Sequence, residues 1–225
     1  MFDKVNLDII GSGKWGFNHV RTSISILNPS RIIVCDNNDN VANKIKDLSG
    51  EIRFTNSLEE ILNDAEINCV IIATPAETHF DLAKQCLSNG KNVLVEKPIT
   101  LYSSEAEELT ELAGKLTKVL MVGHVLLYHP AIIRIKKMLD DGTLGKLQYI
   151  YSNRLNLGTI RSEENILWSF APHDISIIQF LTGNNPTEVY AKGASFLQHE
   201  IEDTTLTFLR YPENVSAHIF VSWLH

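Results

Sequence analysis

At 225 residues and 44% hydrophobic content, the chain can bury a real core, as one large domain or two smaller ones. Its 27 acidic against 20 basic side chains give a formal charge of −7 with no long run of either sign, which argues against nucleic acid as a partner. The most apolar stretch, 119–128, contains Gly123 and His124 and is about half as long as a bilayer requires, so we expect no membrane span.

The three cysteines, Cys35, Cys69 and Cys86, are widely separated and lack the CxxC spacing of metal or redox sites. We therefore expect reduced, mostly buried thiols and no metal. The N-terminal residues show no basic segment followed by a long apolar run, so we expect no export signal. These features predict a cytoplasmic protein whose main partner is a small molecule.

Up to about residue 123, short apolar runs alternate with longer segments of helical period. The predicted strands, rich in Val and Ile, are 5–10, 31–35, 52–55, 67–73, 92–95 and 118–122. The predicted helices are 15–27, 39–48, 57–63, 78–89 and 103–117. Apolar runs without alternation are typical of strands covered on both faces, so this half is predicted to be a parallel sheet in an α/β fold.

Helix boundaries in this half are marked by capping residues. Ser57 and Glu60 have the spacing of a capping box, and Thr78 with Asp81 offers a looser version. Gly90 stands where the C-terminal cap of the fourth helix is expected.

After about residue 125 the pattern changes to an α+β half. Its predicted helices are 129–140 and 172–182, and its predicted strands are 144–157, 187–196, 203–210 and 215–224. This arrangement predicts an open, mainly antiparallel sheet. The chain stops at His225 directly after a strand-like run, and an unpaired edge strand invites association, so we expect this half to be truncated relative to its full fold.

The first predicted strand runs directly into G-S-G-K-W-G, residues 11–16, followed by a helix. In such a loop Gly11 permits the tight turn, Gly13 lets a pyrophosphate approach, and Gly16 allows close helix packing. Asp36 ends the second strand, where a carboxylate accepts both ribose hydroxyls of NAD and repels the 2′-phosphate of NADP. The pattern predicts an NAD-binding, doubly wound Rossmann domain, with an ordinary glycine turn and a helix cap as the alternative.

Ligands in such sheets bind beyond the carboxyl ends of the strands. That rule selects "ATPAETH" (73–79) and "VEKP" (95–98), because each begins where a predicted strand ends. For His79, a helix-capping or surface role is an equal alternative to a cofactor contact. The remaining candidate cofactor-binding residues in the loop and these segments are Lys14, Trp15, Thr74, Pro75, Glu96 and Lys97.

The segments "GSGKWG", "ATPAETH", "VEKPIT" and "GHVLLYHPAI", in this order and spacing, resemble the Gfo/Idh/MocA family of NAD(P)-dependent sugar and polyol oxidoreductases. The resemblance covers nearly the whole chain, and the E-K-P element is its most specific part. It implies an NAD-binding Rossmann domain at 1–123 and a partial C-terminal domain for substrate and oligomerisation at 124–225. A complete sheet in that second domain would make a homo-oligomer.

The resemblance also implies catalytic residues. The lysine of E-K-P lies beside the nicotinamide in this family, and Lys97 matches it. The family's D-x-x-x-H element matches "LWSFAPHDI" with His173 on the histidine and Ser169 on the aspartate, which is a departure. Ser169 and Asp174 are candidate substrate-binding residues, but Asp174 cannot be assumed to replace that carboxylate, because neighbouring helix residues point in different directions. Trp168 is a candidate for stacking on a sugar or uracil ring, or for the core.

Three segments, 153–158, 164–168 and 171–175, resemble the branch that oxidises the 3-hydroxyl of UDP-N-acetylglucosamine-type sugars, a step that would feed an aminotransferase and a lipopolysaccharide pathway. Residues 134–161 are locally +4, which would attract a diphosphate, and Arg154 is the best candidate within them. We therefore expect a nucleotide-sugar substrate. The alternatives are a myo-inositol or other polyol dehydrogenase, a non-catalytic NAD-binding sensor, and an incomplete product that binds cofactor without turnover.

Oxidation of a secondary alcohol sends a hydride to the nicotinamide, and the protein must accept the proton. Histidine titrates near neutral pH, which suits His173 as the general base. The cationic amine of Lys97 would stabilise the developing alkoxide and relay the proton. The two roles can be exchanged.

Overall fold

A computed structural model describes residues 4–157, 160–161 and 164–225. The chain divides into two compact units, with the boundary between Gly123 and His124. Gly158, the last residue of the segment 153–158 singled out in the sequence, lies outside the described residues.

The first unit contains a six-stranded parallel sheet. Its strands are β1 (Leu7–Ile10), β2 (Ile32–Cys35), β3 (Arg53–Thr55), β4 (Cys69–Ile72), β5 (Asn92–Val95) and β6 (Leu120–Val122). Its helices are α1 (Gly16–Ile24), α2 (Asn40–Leu48), α3 (Leu58–Asn63), α4 (His79–Ser88) and α5 (Ser103–Lys115). The spatial order β3-β2-β1-β4-β5-β6 confirms the doubly wound prediction and opens a crevice between β1 and β4, where the direction of winding reverses.

Alternate residues of β1 face two different cores. Ile9 packs in one core with Val20 of α1 and Ile45 of α2. Ile10 packs in the other with Leu87 of α4 and other buried residues. Helices on both faces explain why the strands read as continuous apolar runs.

The cysteines follow the prediction for reduced, mostly buried thiols. All three are free, with Cys35 and Cys86 buried and Cys69 at intermediate exposure. Cys35 and Cys86 both belong to the core that contains Ile10.

The Gly90 prediction is confirmed, and the capping box is confirmed in one direction only, since the Ser57 amide donates to the Thr55 hydroxyl and not to the Glu60 carboxylate. The Ser57 hydroxyl accepts a hydrogen bond from the Glu60 amide at 3.3 Å, and Gly90 follows α4 with a left-handed φ of +78°. The prediction for Thr78 is wrong, since it makes no side-chain cap of α4. Its hydroxyl donates instead to the Pro75 carbonyl at 2.7 Å, which folds the loop before the helix back on itself.

The second unit carries a four-stranded sheet. Its elements are α6 (Pro130–Asp140), β7 (Tyr149–Leu155), α7 (Ile166–Thr182), β8 (Glu188–Ala194), β9 (Thr204–Arg210) and β10 (Ser216–Ser222). The strand order is β7-β10-β9-β8, with β7 parallel to β10 and the other two pairs antiparallel. The sheet is therefore mainly antiparallel, as predicted. Ile166 and Ile178 of α7 share a core with Ile219, Val221 and Trp223.

Helix α7 begins six residues before the predicted start at 172. Asn165 caps it, because its Oδ1 accepts a hydrogen bond from the Trp168 amide at 3.1 Å. Pro172 lies inside the helix rather than at its first turn. Burial of Ile166 and Ala171 before Pro172 and of Ile178 after it explains why the helix continues through a proline that removes one backbone donor. Among the described residues, no helix has the length and apolarity needed to cross a bilayer.

Candidate cofactor site and catalytic residues

A cleft of about 830 Å³ opens at the carboxyl edge of the sheet in the first unit. Its size falls within the range of roughly 300–1,000 Å³ that is usual for small-molecule sites. Apolar side chains such as Leu58 and Leu82 form part of its wall. It brings together seven of the predicted cofactor-binding residues, which are Gly11, Gly13, Lys14, Trp15, Asp36, Thr74 and Pro75.

The glycines of the loop 11–16 differ in what surrounds them. Gly11 has a φ of +85°, and a Cβ there would lie 2.7 Å from Cγ2 of Thr74. A Cβ at Gly16 would overlap the carbonyl oxygen of Gly11, so helix α1 can start this close to the loop only without a side chain. Around Gly13 there is open space within 4 Å of a Cβ position. The loop therefore leaves room for a phosphate at its middle glycine, as an NAD-binding loop must.

Asp36 lies at the end of β2 and is linked to the loop by its carboxylate. Oδ2 accepts hydrogen bonds from the amide and the hydroxyl of Ser12, both at 2.7 Å, and Oδ1 accepts from the Asn38 amide at 2.9 Å. Burial alone would raise the pKa of Asp36, but the hydrogen bonds from Ser12 and Asn38 outweigh it and lower that pKa. The group is therefore an anion at neutral pH. A carboxylate has about four lone-pair sites, so acceptor capacity remains for ribose hydroxyls.

His79 joins two loops. It is only 1% exposed, and its Nδ1 lies 2.7 Å from the Pro98 carbonyl while its Nε2 lies 3.0 Å from the Thr74 carbonyl. The surface alternative for His79 is therefore wrong. Its side chain ties the loop after β4 to the loop after β5, and it is not among the residues that line the cleft.

Glu96 has donors from three parts of the chain. Its Oε1 accepts from Trp15 Nε1 at 2.5 Å and lies 2.7 Å from His19 Nε2, while Oε2 accepts from the Lys97 amide at 3.2 Å. Burial would raise the pKa of Glu96, but the contacts with His19 and Trp15 lower it. His19, on the first turn of α1, was not predicted as a site residue, because no motif spacing marks it.

Lys97 is the second residue after β5, at the same edge of the sheet as the cleft. It is half-buried, and the peptide bond between Lys97 and Pro98 is cis. Its backbone amide donates to Glu96, and the carbonyl of the following residue, Pro98, contacts His79. Two buried side chains thus fix the position of the E-K-P loop.

The second unit presents the other catalytic candidates on α7. Ser169 and His173 are four residues apart and share one side of the helix. Ser169 is buried, His173 is half-buried, and Trp168 is 42% exposed. Exposure leaves the indole of Trp168 accessible for stacking rather than placing it in the core.

Asp174 and Arg154, both predicted as substrate-binding, pair with each other. Arg154 donates from Nε to Oδ2 of Asp174 at 2.6 Å and from a terminal nitrogen to Oδ1 at 3.2 Å. The Ser152 hydroxyl also donates to Oδ1 at 2.6 Å. Since Asp174 is buried and its charge is matched by Arg154, the geometry favours anchoring of α7 on β7 over contact with a substrate.

The positive charge counted over 134–161 is largely compensated. Lys146 pairs with Glu213 at 3.2 Å, and Arg161 pairs with Glu164 at 3.4 Å. Both acids lie outside the counted segment, as does Asp174. The count of local charge was therefore a poor guide to the field that a diphosphate would meet. Among the described residues, no cluster of three or more His, Cys, Asp or Glu is placed to hold a metal ion.

Comparisons with known proteins agree with the fold and the cleft. The family model described as "Oxidoreductase family, NAD-binding Rossmann fold" matches residues 5–124, and the "GFO/IDH/MocA C-terminal domain" matches residues 132–225. The scyllo-inositol 2-dehydrogenase (NAD(+)) of Bacillus subtilis is 26% identical over 99% of this chain and 68% of that protein. The UDP-N-acetylglucosamine 3-dehydrogenase of Acidithiobacillus ferrooxidans is 29% identical over 88% of this chain and 60% of that protein.

Solved structures are similar over a comparable length. The UDP-N-acetylglucosamine 3-dehydrogenase GnnA from Acidithiobacillus ferrooxidans has a TM-score of 0.84 and 28% identity, over 97% of this chain and 70% of that one. GenD2 from gentamicin A biosynthesis, in complex with NAD, has a TM-score of 0.88 over 98% of this chain and 66% of that one. At 24% identity, GenD2 supports the fold alone.

The chain thus spans roughly two thirds of the length of the curated relatives it matches. Inositol and nucleotide-sugar dehydrogenases occur among them at similar identity. The family match confirms the oxidoreductase class, the Rossmann fold and NAD as the cofactor. The chain belongs to the Gfo/Idh/MocA family of NAD-binding oxidoreductases.

Proposed function

We propose that the protein transfers a hydride to NAD from a secondary hydroxyl, at C3, of a nucleotide sugar such as UDP-N-acetylglucosamine. The observation that carries this proposal is the position of Lys97 at the end of β5, on the sheet edge where the cleft opens. A cationic amine at that edge suits stabilisation of an alkoxide as it forms.

The cleft fits NAD at its adenosine and pyrophosphate end. The open space at Gly13 and the start of α1 would take the pyrophosphate, with Lys14 supplying positive charge. Asp36 would accept hydrogen bonds from the ribose hydroxyls. When bound, NAD supplies the hydride acceptor, so the protein's own task is to orient the hydroxyl and remove its proton.

The proton is assigned to two side chains. His173, at a half-buried position on α7, is proposed as the general base, and Lys97 as the group that polarises the hydroxyl and relays the proton. An exchange of these two roles stays open. Trp168 is proposed to stack on a ring of the substrate. Ser169, on the same side of α7 as His173, is proposed to border the substrate.

The choice of substrate is supported by similarity to a relative named UDP-N-acetylglucosamine 3-dehydrogenase, both in sequence and to a solved structure of that name. Oxidation of an inositol is the second candidate. It is favoured by a scyllo-inositol 2-dehydrogenase that matches 99% of the chain and by the compensated charges around Arg154, which weaken the case for a diphosphate.

The proposal is tested by mixing the purified protein and NAD with UDP-sugars, inositols and simple polyols, and following the absorbance of NADH. We expect reduction of NAD with a UDP-N-acetylhexosamine. A response to inositols alone would overturn the substrate choice, and NAD binding without turnover on any member would favour the sensor or the incomplete product.

Lys97→Met should retain NAD binding and lose most of the turnover, because the amine acts mainly on charge that develops in the transition state. The losses expected for a preorganised group of this kind are about 10²–10³-fold in kcat. The exposed Lys137→Met is the matched control. Unchanged kcat in Lys97→Met would remove this lysine from the mechanism.

A further inference from the structure

One buried carboxylate connects the phosphate loop, helix α1 and the E-K-P loop. Glu96 is 8% exposed, and its Oε1 is shared by the indole nitrogen of Trp15 and the imidazole of His19. Its Oε2 takes the backbone amide of Lys97. Trp15 and His19 lie 81 and 77 residues before Glu96 in the chain, so this is a long-range link across the sheet edge.

We infer that Glu96 is a positioning residue that holds Lys97 in a fixed place relative to the phosphate loop, and that Trp15 and His19 are the groups through which it does so. The inference deepens the proposed function and rests on it, because it takes Lys97 as the residue beside the reacting carbon. Glu96, which the sequence suggested as a cofactor contact, would then act through its neighbours.

The physical need for such a link follows from the length of NAD. Its pyrophosphate would lie on the loop at Gly13, while hydride transfer would take place near Lys97. These two protein segments must keep a set separation, since small misplacements of reacting groups are costly in rate. A charged acceptor with three hydrogen-bonding partners sets that separation more firmly than a neutral pair would.

Gly123 shows that space is reserved for this carboxylate. A Cβ at that position would lie 2.9 Å from Oε2 of Glu96, closer than a Cβ atom normally approaches, and 3.0 Å from Cδ, which is a tight contact. The Glu96 carboxylate can thus keep its present position only while residue 123 lacks a side chain. A methyl group there should displace the carboxylate from its donors.

The E-K-P loop keeps a second anchor when Glu96 is altered. His79 holds the Pro98 carbonyl independently of Glu96, at 2.7 Å. Isosteric changes at the carboxylate should therefore shift Lys97 without unfolding the loop, which allows positioning and folding to be measured separately.

The test uses the full chain with Glu96→Gln, Trp15→Phe, their double variant and Gly123→Ala. The exposed Glu107→Gln is the control. We expect each single change at Glu96 or Trp15 to lower kcat about tenfold, within the range seen for coupled neighbours, and the double variant to be no worse than the poorer single. The midpoint of thermal unfolding should change little in every variant, and the dissociation constant for NAD should change little in Glu96→Gln and Gly123→Ala, because Trp15 lines the cofactor cleft but Glu96 and Gly123 do not.

Multiplying effects in the double variant would mean that Trp15 and Glu96 act separately, which overturns the inference. The same follows if Glu96→Gln leaves kcat unchanged. A loss of NAD affinity as large as the loss of kcat would make Glu96 a cofactor contact instead.

A readout without turnover separates this inference from the proposed reaction. NAD should slow the acylation of the Lys97 amine, measured by peptide mass spectrometry, and should protect it less in Glu96→Gln and Gly123→Ala than in the wild type. This pattern with no active substrate would sustain the inference while the proposed reaction fails. Equal protection in all variants, or none in the wild type with NAD bound, would overturn it.

Discussion

Asp36 is held in place before any cofactor arrives. Ser12 and Asn38 donate three hydrogen bonds to its carboxylate, and the low pKa that results keeps it ionised. Its negative charge at the end of β2 is the physical reason to expect NAD in preference to NADP.

Asp36→Asn should weaken NAD binding by about 10–100-fold, because a hydrogen bond to a charged group contributes about 1.5–3 kcal/mol. Affinity for NADP should fall less or rise, since the repulsion of its 2′-phosphate is removed. Titration of both cofactors by NADH and NADPH fluorescence measures this ratio. The exposed Asp47→Asn is the control, and an unchanged ratio in Asp36→Asn would show that the carboxylate does not select the cofactor.

Individual residues were predictable where a motif tied them to a strand end. The loop glycines and Asp36 were found in this way, because the crevice of a doubly wound sheet has a known place. Ser12 and His19 were missed. Their roles depend on partners 24 and 77 residues away, and no local spacing encodes those contacts.

Strand β1 carries a carboxyl group at its centre. Asp8 pairs in register with Ile33 of β2 and Val70 of β4, and it is fully buried. Burial raises its pKa from 3.8 to about 8, and the amide of Ile9 offsets this only in part. The strand therefore favours the protonated acid.

Because the pKa of Asp8 is higher in the folded than in the unfolded chain, its contribution to stability is full below about pH 4 and is lost as the pH rises towards 8. Asp8→Val should remove a slope of up to about 1.4 kcal/mol per pH unit in that window and raise stability most at pH 8. Urea unfolding at pH 5 and pH 8 measures both effects, with Asp47→Asn as the control. If the slope survives in Asp8→Val, the buried acid is not its source.

The start of helix α7 depends on Asn165. Its Oδ1 caps the Trp168 amide, and its Nδ2 donates to Glu202 at 3.1 Å. Asn165→Ala should lower the free energy of unfolding by about 1 kcal/mol, the usual cost of losing such a cap. Circular dichroism during urea unfolding measures this. The exposed Asn156→Ala serves as the control, and an equal loss there would show that capping is not the cause.

At the scale of elements, the sequence predicted the kind of each helix or strand better than its first and last residues. The sequence placed all six strands of the first unit, and the signal was plainest for β1 and β2, which are buried throughout, while β3 and β6 are short and partly exposed. The predicted start of α7 at residue 172 is six residues late, because the buried face of the helix extends past Pro172, a residue type that usually stands in a first turn, to Ile166. Tertiary burial outweighed a local rule.

Across the whole molecule, the residues that line the cofactor cleft all belong to the first unit. NAD should therefore slow hydrogen exchange in 10–16, 36–38 and 73–79, and leave 204–222 unchanged. At a concentration 100 times its dissociation constant, NAD should stabilise the state that binds it by about 2.7 kcal/mol. Exchange measured by mass spectrometry with and without NAD checks this, and protection confined to 204–222 would contradict the site.

The homo-oligomer stays a prediction. One face of the second sheet exposes three tyrosine side chains, Tyr149 (49% exposed), Tyr151 (64%) and Tyr190 (68%). Exposed apolar patches of this kind often mark association surfaces.

The ion pairs of this unit could not be predicted from the sequence, because partners such as Lys146 and Glu213 are far apart in the chain.

The three thiols have a practical consequence for labelling. Burial raises the pKa of Cys35 and Cys86 to about 12, and it also raises that of Cys69. The thiolate is the reactive form, so none of the three should react readily with maleimides at neutral pH. A single cysteine introduced on an exposed helix would then carry a fluorophore selectively, with every native cysteine left in place.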